Sequence, residues 1–467
     1  MITDHSPEDA LSALLDSAGL TPDVLARLIA WAGAGDFGQL QRQLRTVGGC
    51  SRPVHLSGAV YRVDPASGDA VPSWYSTRET TGTLLVPCGS RHGVLCAACA
   101  RRYAGDTWFL IYAGLAGGKG RAASVRTHPR LFVTLTAPGF GPVHTANISP
   151  DGRPAVCRPR RDKPLCLHGL PAWCSVRHPA DDPVVGAPLC DGCYDWPGLV
   201  LFNAHATALW HRWRIQLARE IARLAGRTVR DVADAVRIAC TRVAEIQARG
   251  AIHLHAIIRA DDATDPDLAP PDWVTADLLA DAAIRAAGCV QVEAPANRVG
   301  EWVFGWGPQA TADPIPSGQD DETERRLAAY LAKYVTKSLG AGLARRIGAP
   351  AEIPLLDVTR HIRALVGIAW RLGGLPEFQP LRLRAWAHQN GFRGTVASRT
   401  RTYSTTLTAL HQQRRDYRAA QAAGGDRFGD VQADALTRFR YARTGLDPAG
   451  TWLITNDDRD ETEGGSP

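Results

Sequence analysis

The sequence predicts an α+β protein of antiparallel strands and flanking helices, and three stretches predict it. Residues 131–137, LFVTLTA, alternate Phe132, Thr134 and Thr136 against Leu131, Val133 and Leu135, a strand with one polar face. Residues 236–259 hold two β-like runs that meet at an Arg249-Gly250 turn and read as a hairpin. Residues 324–338 follow acidic residues and stop before Gly340, the start and stop signals of a helix.

The 467 residues suffice for about two to four separately packed domains. Hydrophobic residues make up 45% and charged residues 21%, a globular balance. No apolar run approaches a membrane span, and Asp4, Glu8 and Asp9 stand where a signal sequence would be basic, so a cytoplasmic location without membrane attachment is expected. The formal charge of +6 suits a polyanionic partner. Of 53 basic residues only four are lysines, Lys119, Lys163, Lys333 and Lys337. In so arginine-dominated a chain, a lysine pair four residues apart calls for a chemical reason.

In chain order, residues 1–45 read as a helical segment whose stripe comprises Leu11, Leu14, Leu15, Leu25, Leu28 and Ile29. Residues 46–125 form a cysteine-rich module. Eleven cysteines without a secretion signal argue for metal over disulfides. Cys96 and Cys99 make a CxxC knuckle, and Cys88 and Cys50 complete a four-thiolate zinc set; buried free thiols are the plain alternative. A second cysteine segment at about 150–200 is too loop-rich to bury a core, so a metal would help fold it. Cys166, Cys174, Cys190 and Cys193 are the preferred structural zinc ligands there, with Cys157, His168 and His178 as alternatives.

A helix over 203–224 carries Trp210 and Trp213 as core residues. After the hairpin, 261–275 and 307–323 read as Pro- and Asp-rich connections. Residues 341–454 are Arg-rich, and Arg393, Arg399 and Arg401, interleaved with Trp386, Phe392 and Tyr403, suit phosphates and unstacked bases; an ordinary, partly packed segment is the alternative. Residues 455–467 read as a disordered acidic tail.

Two constellations carry chemistry. His253 and His255 are two apart on a strand, so their imidazoles share a face and form half a site for a divalent cation. Tyr330, Lys333, Tyr334 and Lys337 fall at i, i+3, i+4 and i+7, one stripe of a helix. A core stripe would hold Leu or Ala there. Ammonium groups beside a phenol favour the phenolate, and a metal nearby polarises a phosphate it attacks. The bland readings are core histidines and half-buried tyrosines beside snorkelling lysines.

Taken together, FVTLT at 132–136, HLH at 253–255 and YLAKYVTK at 330–337 resemble the three ordered motifs of rolling-circle replication initiators of the HUH endonuclease superfamily, two-tyrosine branch. CGSRHGVLCAAC, PLCDGCYDW and RTRTYSTTL look like segments of actinobacterial plasmid replication initiators, and the resemblance spans about 48 to 410. It implies a central antiparallel sheet with helices on one face, and a nicking domain over 126–340 with a zinc-bound insertion. His253 and His255 would then bind Mg²⁺ or Mn²⁺. Tyr334 would attack single-stranded origin DNA, leaving a 5′-phosphotyrosine and a free 3′-OH for a host DNA polymerase. Tyr330 would be the second nucleophile, in either order, and Lys333 and Lys337 would hold phosphate or steady the phenolate. Glu245 is the chosen third metal ligand and Gln247 the runner-up. A two-residue turn would set residue 246 opposite His253, so both need a bulge or a longer turn.

Gly-Gly-Lys119-Gly lacks the spacing and hydroxyl of a Walker loop, which points to a host helicase as partner. A non-catalytic zinc-binding DNA regulator would explain the cysteines and charge but not HLH or the Tyr/Lys stripe. A relaxase or transposase would share the chemistry and differ in its target.

Overall fold

A computed structural model describes the chain except residues 1–14, 16–18, 34, 36, 65–66, 317–320, 337–342, 344, 424–434 and 455–467. The chain forms two compact units, one of Met1–Tyr103 with Gln412–Pro467, the other of Ala104–His411.

The second unit is built on a five-stranded sheet. Its strands are β1 (Arg130–Leu135), β2 (Val236–Ile246), β3 (Ile252–Asp262), β4 (Thr311–Pro314) and β5 (Ala397–Arg399). They lie in the order β4–β1–β3–β2–β5 with every neighbour antiparallel, so the histidine strand is central. The predicted strand and hairpin are the middle three. Both edge strands come from stretches read as connection or basic segment. Pro314 closes β4, where a residue without an N–H is tolerated because an edge strand pairs on one side only.

The turn differs from the expected two residues. Ile246 pairs with Ile252, so the connection is Gln247–Ala251, with Gly250 at φ +84°. The longer connection sets Glu245, not residue 246, opposite His253.

Alternation divides the sheet into two faces. On one, Leu131, Val133, Leu135, Leu254, Ala256 and Ile258 are each at most 1% exposed. They pack against three helices, α1 (Trp196–Leu224), α2 (Ala276–Cys289) and α4 (Arg360–Leu372). α1 begins before the predicted 203, because the Asp195 side chain caps it by accepting from the Gly198 N–H at 2.8 Å. Trp213 is fully buried, its indole N–H donating to the Ala283 carbonyl at 3.0 Å. The other face carries Phe132, Thr134, His253, His255 and Glu245, and α3 (Glu322–Val335) lies over it. Helices therefore flank the sheet on both faces, not one, because the second face is itself half apolar and needs cover.

α3 is held by charge as well as packing. Arg130 of β1, wholly buried, donates to Glu324 at 2.9 Å and to the Leu115 carbonyl at 2.8 Å. Beside it Arg259 makes a two-pronged pair with Asp261 at 2.6 and 2.9 Å, and His128 reaches the same carboxylate at 2.8 Å.

In the first unit, Val54–Val63 pairs with Ala435–Thr444 on one edge, and with Ala70–Tyr75 and Leu84–Val86 on the other. The helix Phe37–Thr46 buries Leu40 and Leu44 with Val47 and Leu85 around Cys50, Cys96 and Cys99. Of the N-terminal stripe, Leu11 and Leu14 lie outside the described residues, as does the acidic tail. No described helix is long and apolar enough to cross a membrane.

Candidate active site

The site is assembled on the central hairpin. The rings of His253 and His255 stand 4.5 Å apart, centre to centre. The Glu245 carboxylate lies 3.5 Å from Nε2 of His255, a buried nitrogen with no hydrogen-bond partner. The opposite nitrogens are occupied: Nδ1 of His255 is 3.3 Å from the Thr134 hydroxyl, and Nδ1 of His253 is 3.3 Å from the Gln247 amide. Gln247, the runner-up ligand, is thus a neighbour of a histidine.

α3 brings the phenols over this pair. Glu324, Ala328, Leu331, Ala332 and Val335 form its buried side. Tyr334, half-buried, flanks that side with its ring centre 5.4 Å from that of His255; Tyr330, more exposed, is 5.3 Å from it. The two phenol rings are 4.9 Å apart, one turn along the helix. Phe132 packs against both His255 and Tyr330. Lys333 occupies the solvent edge of the stripe and is exposed. Lys337 lies outside the described residues.

Burial and the neighbouring His255 lower His253 to about 4, so its imidazole is neutral and able to ligate at physiological pH. Burial, the Tyr330 hydroxyl and the charge of Glu245 raise Tyr334 well above the ordinary phenol range. Near neutral pH that phenol keeps its proton until the local negative charge is offset.

Three further clusters could hold a metal, each with four ligand atoms within 4.8 Å of one another. In the first unit Cys50, Cys88, Cys96 and Cys99 meet, as the spacing predicts. Burial opposes the Cys96 thiolate, but donors from Cys99 and Ser51 outweigh it and bring the thiol to about 6. The 150–200 segment holds two clusters rather than one. Cys166, His168, Cys190 and Cys193 form the first, and His144, Cys157, Cys174 and His178 the second. The expected set is therefore corrected: Cys174 leaves Cys166, Cys190 and Cys193, and His168 takes its place. The reason is local pairing, since Arg158 and Cys174 exchange backbone hydrogen bonds of 3.0 Å and carry Cys174 beside Cys157. His178 turns its other nitrogen to Asp182 at 2.8 Å, the carboxylate–histidine arrangement common behind bound metals. Sequence reasoning missed His144 and Asp182. The Cys174/His178 and Cys166/His168 spacings separate the clusters in hindsight, whereas His144 carries no local signal. Among the described residues, only the three cysteine-containing groups bring their candidate ligand atoms all within 4.8 Å of one another.

The basic segment is partly core. Phe392 is 1% exposed and Tyr403 fully buried, its hydroxyl donating to the Ile111 carbonyl at 3.2 Å, so neither is a platform for bases. Arg399 lies on β5 and donates to the Thr405 carbonyl at 3.1 Å, Arg393 is exposed and donates to the Pro380 carbonyl at 3.0 Å, and Arg401 is exposed.

Compared with known proteins, residues 36–459 match the family model described as RepSA, replication initiator protein, pSAM2. A curated replication initiator protein of Streptomyces ambofaciens is 42% identical over 448 residues, covering 93% of this chain and 92% of that protein. No solved structure matches.

Proposed function

The chain belongs to the RepSA family of replication initiator proteins, and we propose that it starts plasmid replication by cutting and rejoining one strand of origin DNA with a tyrosine nucleophile. The observation that carries this reading is the placement of two phenols beside His255, on the strand face shared with His253 and Glu245. A structural role would leave two tyrosines and two histidines packed together without need of a carboxylate among them.

The unpartnered Nε2 of His255, the neutral His253 and the adjacent Glu245 carboxylate suit a hard divalent cation with open positions. Bound Mg²⁺ or Mn²⁺ would supply charge that polarises the scissile phosphate and offsets Glu245. Tyr334 then attacks phosphorus through its phenolic oxygen. The new O–P bond replaces the bond from phosphorus to the 3′ oxygen. The phenol loses its proton and the departing 3′ oxygen gains one, leaving a 5′-phosphotyrosine and a free 3′-OH. Tyr330 repeats the exchange to close the circle, and either tyrosine can act first. Lys333 and Lys337 hold phosphate, while Arg393, Arg399 and Arg401 contact DNA outside the cut.

The five-stranded sheet with a central histidine strand supports an HUH-type nicking domain, which β5 and α4 carry past the expected 126–340. In this reading zinc fills the three cysteine-containing clusters structurally, the residues from 341 to 454 bind DNA, a host helicase and DNA polymerase complete replication, and the protein works in the cytoplasm.

The test is to incubate the protein with supercoiled and single-stranded DNA of its own replicon and Mn²⁺ or Mg²⁺, then denature and look for protein-linked DNA. One of the two substitutions, Tyr334→Phe or Tyr330→Phe, should remove the 5′-linked adduct while binding persists, and so name the first nucleophile. Binding without any adduct, with either metal, would instead support a non-catalytic regulator.

A further inference from the structure

The tip of the histidine hairpin closes one side of a cavity of about 600 Å³. Thr136, just after β1, and Gln247 and Arg249 of the hairpin connection line one side; Asn147 and Arg158 line it from the metal-binding insertion. The cavity starts where the histidine pair ends. Gln247 touches His253 at 3.3 Å, and Thr136, just past the end of β1, is two residues on from Thr134, which touches His255.

Both walls are pinned. The Arg249 guanidinium donates to the Pro138 and Ala137 carbonyls at 3.1 and 3.2 Å. The insertion is closed by paired bonds between His144 and the 186–187 segment, at 2.8 and 2.9 Å. Gly186, at φ +91°, lets that segment approach the hairpin, since a Cβ there would come within 2.4 Å of the Ala248 backbone. His144 is also one of the four ligands of the second insertion cluster, so the wall is tied to that cluster.

A volume of this size falls within the range of about 300–1,000 Å³ usual for small-molecule sites. The lining carries two guanidinium groups, three side-chain amides, two hydroxyls and the His144 imidazole, with no Phe, Tyr or Trp among the described residues. Such a surface recognises the polar edge of a base and its phosphate, not a stacked ring. Pinned walls lower the ordering cost of binding.

We propose that this cavity receives one unpaired nucleotide of the DNA strand next to the scissile phosphate, and that the insertion selects it. The inference rests on the nicking reading above. It gives the insertion a part in choosing the cut site, beyond stabilising the fold.

The experiment scans single-stranded oligonucleotides spanning the cut, replacing each nucleotide in turn by an abasic one. Binding is followed by fluorescence anisotropy and adducts are scored in parallel, using full-length wild type, Arg158→Ala and Gly139→Leu. Gly139 lines the cavity, and a Cβ there meets no atom within 4 Å, so a side chain can start there without a clash and leucine extends it into the space. Arg158 is exposed, which keeps the test intact should Gly139→Leu misfold. At one position near the cut, base removal should weaken wild-type binding about tenfold. Both variants should bind the intact strand more weakly and be indifferent to base removal there. Adduct formation with no position coupled to either variant overturns the nucleotide pocket alone. Absence of adducts from every oligonucleotide overturns the nicking reading, and this inference with it.

Discussion

Thr134 and Gln247 each touch a ring nitrogen of a candidate ligand histidine, and such contacts fix the tautomer and the aim of the other nitrogen. Thr134→Val should therefore weaken Mn²⁺ affinity by about 10- to 100-fold, read by calorimetry, with single-strand binding unchanged. Unaltered Mn²⁺ affinity would remove Thr134 from the site. At this scale the sequence was most legible where a short period does the work. His253 and His255 share a face because strands alternate, and Tyr330 and Tyr334 because helices turn every 3.6 residues. Glu245 was legible as a residue but not as a neighbour, since its facing depends on how many residues the turn consumes. The cysteines at 150–200 were legible as ligands but not as sets, because loop pairing between Arg158 and Cys174 decides the grouping. Arg130 and Arg259 left no trace, since a wholly buried arginine on a strand reads like a solvated one.

At the scale of elements, α3 is positioned by the Arg130–Glu324 pair, several residues before the phenols it presents. Arg130→Met leaves the buried Glu324 with only the more distant Arg126, at 3.7 Å, and should cost up to about 3–5 kcal/mol in urea unfolding. The double variant Arg130→Met/Glu324→Leu should recover much of that, as apolar replacement of both partners often does. A single variant as stable as wild type would show the pair idle. The two insertion clusters make a separate claim about metal content. The proposed occupancy is three zinc ions per chain, and Cys166→Ser and Cys174→Ser should each lose a different one by elemental analysis. A double variant that loses no more than either single one would restore the single-site arrangement. The edge strands escaped sequence reading because Thr311–Pro314 and Ala397–Arg399 are too short to show alternation, and their neighbours in the sheet make them strands.

Across the whole molecule, several buried histidines tie stability to pH. His205 and His361 are both held below the ordinary value by burial, while each donates a ring N–H to a backbone carbonyl, Leu201 at 2.7 Å and Ala248 at 2.7 Å. A depressed pKa means the unfolded chain takes up the proton first. The associated stability is complete above about pH 6.5 and is lost as pH falls from there through the lower folded values. The unfolding temperature should drop between pH 7.5 and 5, and His361→Gln should flatten part of that slope; an unchanged slope would exclude His361 from the effect. The pairing of Val54–Val63 with Ala435–Thr444, drawn from opposite ends of the chain, was beyond any local signal. Side-chain alternation names the faces of a strand but not its partner.

The five residues of the Gln247–Ala251 connection bear on how this lineage can change. Gaining or losing one residue there shifts the hairpin register by one and sends the Glu245 side chain to the opposite face. Substitutions in the loop leave that register alone, whereas a single-codon insertion or deletion separates the carboxylate from both histidines and turns the core residues Cys240 and Ala244 of β2 outward with the same slip. Inheritance should therefore keep the length of this connection far more strictly than its residues, since a change of length costs the site and the packing of β2 together.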